Sequence, residues 1–144
     1  EGIKGCQGCF YCRDHEDCAT KDTLYPMYKD IKSADGIVFG SPIYFGTITG
    51  QAKIWLDRMY PMYALDFSPR FPGKKLVTVY AQANGDQTCF LDAIESNNKS
   101  LQAFGWELTD SFHVYGNTAP DYSIPEELLE RAYEAGKTLA KASN

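Results

Sequence analysis

Four cysteines, Cys6, Cys9, Cys12 and Cys18, form the pattern CxxCxxCxxxxxC near the start of the chain, with Gly5 and Gly8 among them. Thiolates are soft ligands. Three at three-residue spacing can wrap one face of a compact metal-sulfur cube, and a fourth can close it. Glycine lets the backbone turn tightly enough to aim N–H groups at sulfur. Three readings of the run stay open: a [4Fe-4S] cluster, free thiols or an adventitious disulfide, and structural zinc, which more often takes two separated CxxC pairs. Cys89, beside Phe90, reads as a small buried apolar residue rather than a ligand. His15 lies among acids and reads as a solvated loop residue, His113 as a structural one.

A second candidate site lies where two apolar runs give way to polar, glycine-containing segments. Residues 36–40 (GIVFG) are closed by small residues and are expected to be a strand buried on both faces, as in a parallel sheet. They lead into a loop of Ser41, Pro42, Ile43, Tyr44, Phe45, Gly46 and Thr47. A second strand at 74–81 (KKLVTVYA) leads into Gln82, Ala83, Asn84, Gly85 and Asp86. In open parallel sheets, ligands bind beyond the carboxyl ends of the strands. Backbone N–H groups of both loops can donate to a planar polar ring, and Tyr44 and Phe45 can cover its face. Neither loop resembles a phosphate-cradling glycine-rich turn.

The elements that must position these groups alternate. A more alternating third strand is expected at 106–115, near a sheet edge. Ala52, Trp55, Leu56, Met59 and Tyr63 share one face of a helix expected over 50–63. Phe90, Leu91, Ile94, Leu101 and Phe104 mark another, stopped by Gly105. Pro125, Glu126 and Glu127 open a last helix running to about Lys141. Leu24, Tyr28 and Ile31 give a short early helix started at Asp22, with Pro26 in its first turn. Lys53, Asp57 and Arg58 read as a salt-bridged exposed face, with Arg58 reaching a dimer partner as the alternative. Residues 61–73 (PMYALDFSPRFPG) form the longest break, a packed surface connection or a lid or dimer contact. The alternation predicts one α/β domain over 1–144 with a parallel sheet, and a cysteine-rich loop at 1–20.

Composition excludes several classes. The chain has 144 residues, 44% hydrophobic and 23% charged, enough apolar surface for one core. Its net charge is −5, without a basic run to neutralise phosphates, so nucleic acid is not an expected partner. No apolar stretch has the length of a membrane span, and the N-terminus lacks the features of a signal peptide, so a cytoplasmic location and no membrane partner are expected. In that reducing compartment clustered cysteines serve metals or redox chemistry more often than disulfides.

The segments SADGIVFGSPIYFGTITGQAKIWLDR, AQANGDQTCF and PEELLERAYEAGKTLAK resemble the flavodoxin-like NAD(P)H-dependent FMN reductases, and CQGCFYCRDHEDC resembles their iron-sulfur flavoprotein branch. The resemblance spans nearly the whole chain and is most specific over 34–58. It implies a three-layer α/β/α sandwich, with FMN held at its isoalloxazine ring by the loops at 41–47 and 82–86. It also implies a [4Fe-4S] cluster on Cys6, Cys9, Cys12 and Cys18. NAD(P)H or a ferredoxin-like protein would be the electron donor; a flavin, quinone or other acceptor would be reduced. The partner of an expected homo-oligomer would bring one subunit's cluster near another's flavin. No catalytic acid or base is assigned. Members of the family open with a strand and a GSPRxxGNT-like loop that binds the FMN phosphate, followed by a helix and a second strand, which are not present in these residues. The expectation is therefore an incomplete domain whose phosphate-binding residues lie outside this chain, with an unpaired apolar edge beside 36–41. The alternatives are a non-enzymatic iron-sulfur or flavin electron carrier or metal-binding module, and a domain that has lost its ligand.

Overall fold

Successive strand residues point to opposite faces of a sheet, and the run at 75–81 is apolar on both. Leu76 and Tyr80 pack on one face against Tyr28, Ile31, Phe39, Ile94 and Leu101; Val77 and Val79 pack on the other with Phe112, Leu128, Ala135 and Leu139. A strand of this kind needs helices on both sides. The computed structural model, which describes residues 2–140, supplies them. The strands are β1 (Gly36–Tyr44), β2 (Thr47–Ile48), β3 (Lys75–Ala81) and β4 (Glu107–Val114); the α-helices are α1 (Met27–Ser33), α2 (Gly50–Asp57), α3 (Leu91–Gln102) and α4 (Glu126–Ala140). The sheet order is β2-β1-β3-β4. β1 and β4 both run parallel to β3, with Ser41 opposite Tyr80 and Tyr80 opposite His113. This is the parallel α/β sheet the alternation predicts and the flavodoxin-like three-layer arrangement the resemblance implies, with β4 at an edge.

Polar groups on the α3 face of the sheet are satisfied in place. Tyr80 donates to Asn98 Oδ1 at 2.9 Å, Asn98 Nδ2 donates to Ser111 Oγ at 3.2 Å, and Thr78 Oγ1 donates to the same oxygen at 2.9 Å. Pairing of this kind removes the penalty of burying amide and hydroxyl groups.

β1 departs from expectation in two ways. Its burial alternates: Phe39, Ser41 and Ile43 are buried, whereas Val38, Gly40, Pro42 and Tyr44 are exposed. α4 lies against the start of the strand, where Leu139 abuts Gly36, and leaves Val38 62% exposed. The strand also continues through residues 41–44, which were expected in a loop. It then turns back through Phe45 and Gly46 so that β2 pairs antiparallel at Ile43 and Tyr44. Both turn residues have positive φ, 49° and 88°, the combination that matches the twist of a two-residue hairpin. Among the described residues, β2 is the sole strand on that side of β1, so 36–42 present an unpaired edge.

Helix ends also move. α2 begins where Thr49 Oγ1 accepts from Ala52 N at 3.2 Å, an N-cap. It stops at Asp57 instead of reaching Tyr63, and a 3-10 turn, Tyr60–Met62, follows; Pro61 has no N–H and disfavours helical backbone at Tyr60. α1 starts at Met27, after Pro26, and Asp22 opens the turn before it, its Oδ1 accepting from Leu24 N at 3.2 Å. Its last carbonyls are capped by the buried Lys74, whose Nζ donates to Lys32 O at 3.0 Å and Ala34 O at 2.7 Å. The end of the last helix expected at Lys141 lies outside the described residues.

Gly105, which ends the turn after α3, has φ of 76°, and a Cβ there would meet Pro72 Cβ at 2.7 Å. Gly105→Ala therefore combines left-handed strain with a backbone-adjacent clash and should cost about 2 kcal/mol or more, read as a lower urea midpoint at unchanged slope.

Candidate functional site

Between Gly2 and Pro26 the only regular element is a 3-10 turn, Tyr11–Arg13. A segment without a ladder must find donors for its carbonyls elsewhere, and two arginines supply them. Arg58 is wholly buried at the end of α2. Its Nη1 donates to Lys4 O at 2.9 Å and Asp22 Oδ2 at 2.8 Å, and its Nη2 to Thr20 O at 3.0 Å. Tyr28 Oη donates back to Arg58 O at 2.7 Å. Arg70, in the 61–73 loop, donates from Nη1 to Cys12 O at 3.2 Å, His15 O at 2.6 Å and Pro61 O at 3.3 Å, and from Nη2 to Arg13 O at 2.8 Å.

The electrostatics follow from this packing. The Arg58 guanidinium, helped by Lys4 N–H, lowers the Asp22 carboxyl to about 2. Burial opposes the charge on Arg58, but its hydrogen bonds to Asp22 and Tyr28 win and raise its pKa. Burial pushes the Tyr28 phenol well up. Arg58 is thus neither part of an exposed salt-bridged face nor free to reach a partner; Lys53 and Asp57 do pair. The clue lay in the helix period. Arg58 follows Trp55 by three residues, which puts it on the apolar side.

The loop held in this way lines a cavity of about 430 Å³ with all four cysteines, together with Phe10, Tyr60 and Phe67. All are free thiols. Burial pushes the Cys12 thiol up, and Cys18, Cys6 and Cys9 each add to that, so the four sulfurs act on one space. Among the described residues no three His, Cys, Asp or Glu side chains converge tightly enough for a single metal ion. His15 stacks on Tyr11, ring centroids 3.7 Å apart, away from any ligand role. Phe10 and Phe67 are both largely exposed with φ of 58° and 63°, a conformation that costs an ordinary residue roughly 1–2 kcal/mol.

The second site forms because β1 and β3 are parallel neighbours in register, with Pro42 opposite Ala81. Their carboxyl ends bring the 45–46 turn and the 82–86 loop to one edge. Three of the expected contact residues turn their side chains into the scaffold. Ser41 is buried and its Oγ accepts from Thr49 N at 3.1 Å; Ile43 belongs to the core. Gln82 is buried, donating from Nε2 to Asn84 O at 2.9 Å and Asp86 O at 2.7 Å while Oε1 accepts from His113 Nε2 at 2.7 Å. Burial lowers the His113 pKa and so favours the neutral ring, whose Nε2–H tautomer donates this bond. Asn84 and Asp86 use their side chains in local turns, accepting from Asp86 N and Thr88 N at 2.8 Å each. Exposed at the edge are Pro42, Tyr44, Phe45, Thr47, Ala83, Asn84, Gly85 and Asp86, with Gly46 half-buried. Among the described residues, no acceptor takes the N–H of Ala83, Asn84 or Gly85. Cys89 is exposed, not buried, and its Sγ receives Asn84 Nδ2 at 3.5 Å.

A family model described as NADPH-dependent FMN reductase matches residues 2–95. An iron-sulfur flavoprotein of Methanocaldococcus jannaschii is 35% identical over 94 residues, 65% of this chain and 48% of that protein. An iron-sulfur flavoprotein of Methanosarcina thermophila is 28% identical over 116 residues, 81% of this chain and 53% of that protein. The chain spans about half the length of these curated relatives. Among solved structures, an NADPH-quinone reductase from P. pentosaceus superposes with a TM-score of 0.57 at 14% identity, over 80% of this chain and 73% of that one; at that identity the likeness concerns the fold alone.

Asp22→Ala would leave the buried Arg58 charge unpaired and should destabilise the chain by about 3–5 kcal/mol, measured by denaturant unfolding. Because the Asp22 carboxyl is depressed to about 2 from its ordinary 3.8, its contribution is complete above the ordinary value and lost as pH falls toward 2. The melting temperature of the unmodified chain should therefore fall more steeply across that window than that of the variant.

Proposed function

We infer that this chain, which belongs to the NADPH-dependent FMN reductase family, carries out flavin-dependent oxidoreduction at the shared carboxyl edge of β1 and β3. The observation that carries the reading is the pairing, on one edge, of the exposed rings of Tyr44 and Phe45 with the unaccepted N–H groups of 83–85. A planar, polar ring suits that combination. The residues present fit the isoalloxazine ring of FMN: the backbone of Ala83, Asn84 and Gly85 would donate to its polar edge, and Tyr44 and Phe45 would cover its face. When bound, FMN supplies the hydride and electron chemistry. The chain's own residues orient the ring and exclude water from it. Ser41 braces the hairpin after β1 against the start of α2, Gln82 and His113 brace the 82–86 loop, and no side chain is assigned a proton. NAD(P)H or a ferredoxin-like protein is the proposed donor and a quinone or flavin the proposed acceptor, in the cytoplasm, where thiols stay reduced.

Cys6, Cys9, Cys12 and Cys18 fit a polynuclear iron-sulfur group better than zinc. Their thiols are distributed around one cavity rather than gathered on one ion, and sulfur-rich sets of four suit a [4Fe-4S] cube. The unpaired edge of β1 and the exposed Val38 beside it are where further β structure would complete the domain. A second reading, an electron carrier without its own turnover, is favoured by the cysteine cavity and separated from the first by steady-state kinetics.

The test uses chain purified anaerobically. Added FMN should bind, NADPH should be oxidised in the presence of a quinone, and iron and sulfide should each approach four per chain. Reduction by ferredoxin alone, without NADPH turnover, would favour the carrier; absence of FMN binding would sink both flavin readings. Tyr44→Ala should weaken FMN binding about fivefold or more, the loss of one ring contact of about 1 kcal/mol, read by flavin fluorescence.

A further inference from the structure

We propose that Arg70 and Arg58 are the positioning residues of the four-thiol cavity, holding its loop from opposite flanks so that the sulfurs face one space. The proposal rests on the iron-sulfur reading of that cavity. Arg58 binds carbonyls just before Cys6 and just after Cys18, at Lys4 and Thr20. Arg70 binds the middle: Cys12 O and Arg13 O close the Tyr11–Arg13 turn, whose last carbonyls have no partner within so short a helix. His15 O and Pro61 O complete its set. Through Pro61 the same guanidinium ties the cysteine loop to the 3-10 turn that follows α2. Cys6, Cys12 and Cys18 are therefore each close in sequence to a clamped carbonyl, and Cys9 is carried between them.

The geometry demands arginine. A planar fork reaches acceptors in several directions at once, whereas an ammonium is a compact point charge. Arg70 meets four carbonyls on two segments, those of Cys12, Arg13 and His15 on one and Pro61 on the other, and its contact with Cys12 spans 58 residues of chain. Arg70, which unlike Arg58 has no carboxylate partner among the described residues, also places positive charge beside a cavity whose occupant would be anionic. Positive charge nearby favours the reduced, more negative state of a redox group, so the clamp sets potential as well as position.

The experiment compares the full chain with Arg70→Lys and Arg70→Gln, using Lys53→Gln on the exposed face of α2 as a surface control. Three quantities are read: alkylation rates of individual cysteines by iodoacetamide in iron-free protein, iron and sulfide after anaerobic reconstitution, and the midpoint potential of the reconstituted species. Both Arg70 variants should alkylate at Cys12 at least threefold faster and retain less than half the iron. The Gln variant should shift its midpoint to more negative potential while the Lys variant, which keeps the charge, should not. Lys53→Gln should match the unmodified chain in all three. Unchanged Cys12 reactivity and iron content in either folded Arg70 variant would overturn the proposal, and Arg70→Lys serves if Arg70→Gln fails to fold. If the unmodified chain takes up no iron, the iron-sulfur reading fails by itself; the alkylation rates still decide whether Arg70 holds the loop.

Discussion

The buried guanidinium of Arg58 is the point on which the N-terminal third of the molecule is assembled. Taking such a charge out of water costs several kcal/mol unless its donors are met with good geometry. Here they are met by Asp22, two carbonyls from either side of the cysteine run and the Tyr28 hydroxyl. That requirement is demanding, and so it is specific. It fixes where the loop enters and leaves, and sets the end of α2, whose last turn carries the arginine. A loop with almost no regular structure gains a defined shape because one buried polar group must find its acceptors at both ends of it.

The shared carboxyl edge of β1 and β3 is built by the same logic on a smaller scale. Gln82 turns inward to satisfy two carbonyls of its own loop and the ring of His113. Ser41 turns inward to brace the start of α2. With those side chains committed to the scaffold, what remains at the edge is backbone N–H and aromatic surface. Phe45 is fully exposed in a left-handed turn, against both its apolar character and its backbone preference. Strain of that kind persists only where surrounding structure enforces it, and here the antiparallel pairing of β1 with β2 does so.

The cysteine cavity and this edge are joined through α2. Thr49 caps its start beside the hairpin, and Arg58 lies at its end beside the thiols. A helix of two turns is stiff, so the span between Thr49 and Arg58 is set by hydrogen-bonded helix geometry and not by loop conformation.

Much was readable in residue order alone. Apolar runs closed by small residues mark β1 and β3, and the helical stripe of Ile94 and Leu101 marks α3, because each of these signals is local and repeats with the period of its element. The sequence also placed the two polar loops at strand ends, which follows once the sheet is parallel. What it did not determine was which side chains in those loops stay exposed at the edge and which brace the fold. Ser41, Ile43 and Gln82 share a segment with Tyr44 and Asn84, yet pleat and burial turn them the other way. Nor did it determine the partners of Arg58 and Arg70, whose acceptors are carbonyls up to 58 residues distant. Every residue offers a carbonyl, so no residue type advertises such a contact; only the packed chain, by denying those groups water, decides which arginine must serve them.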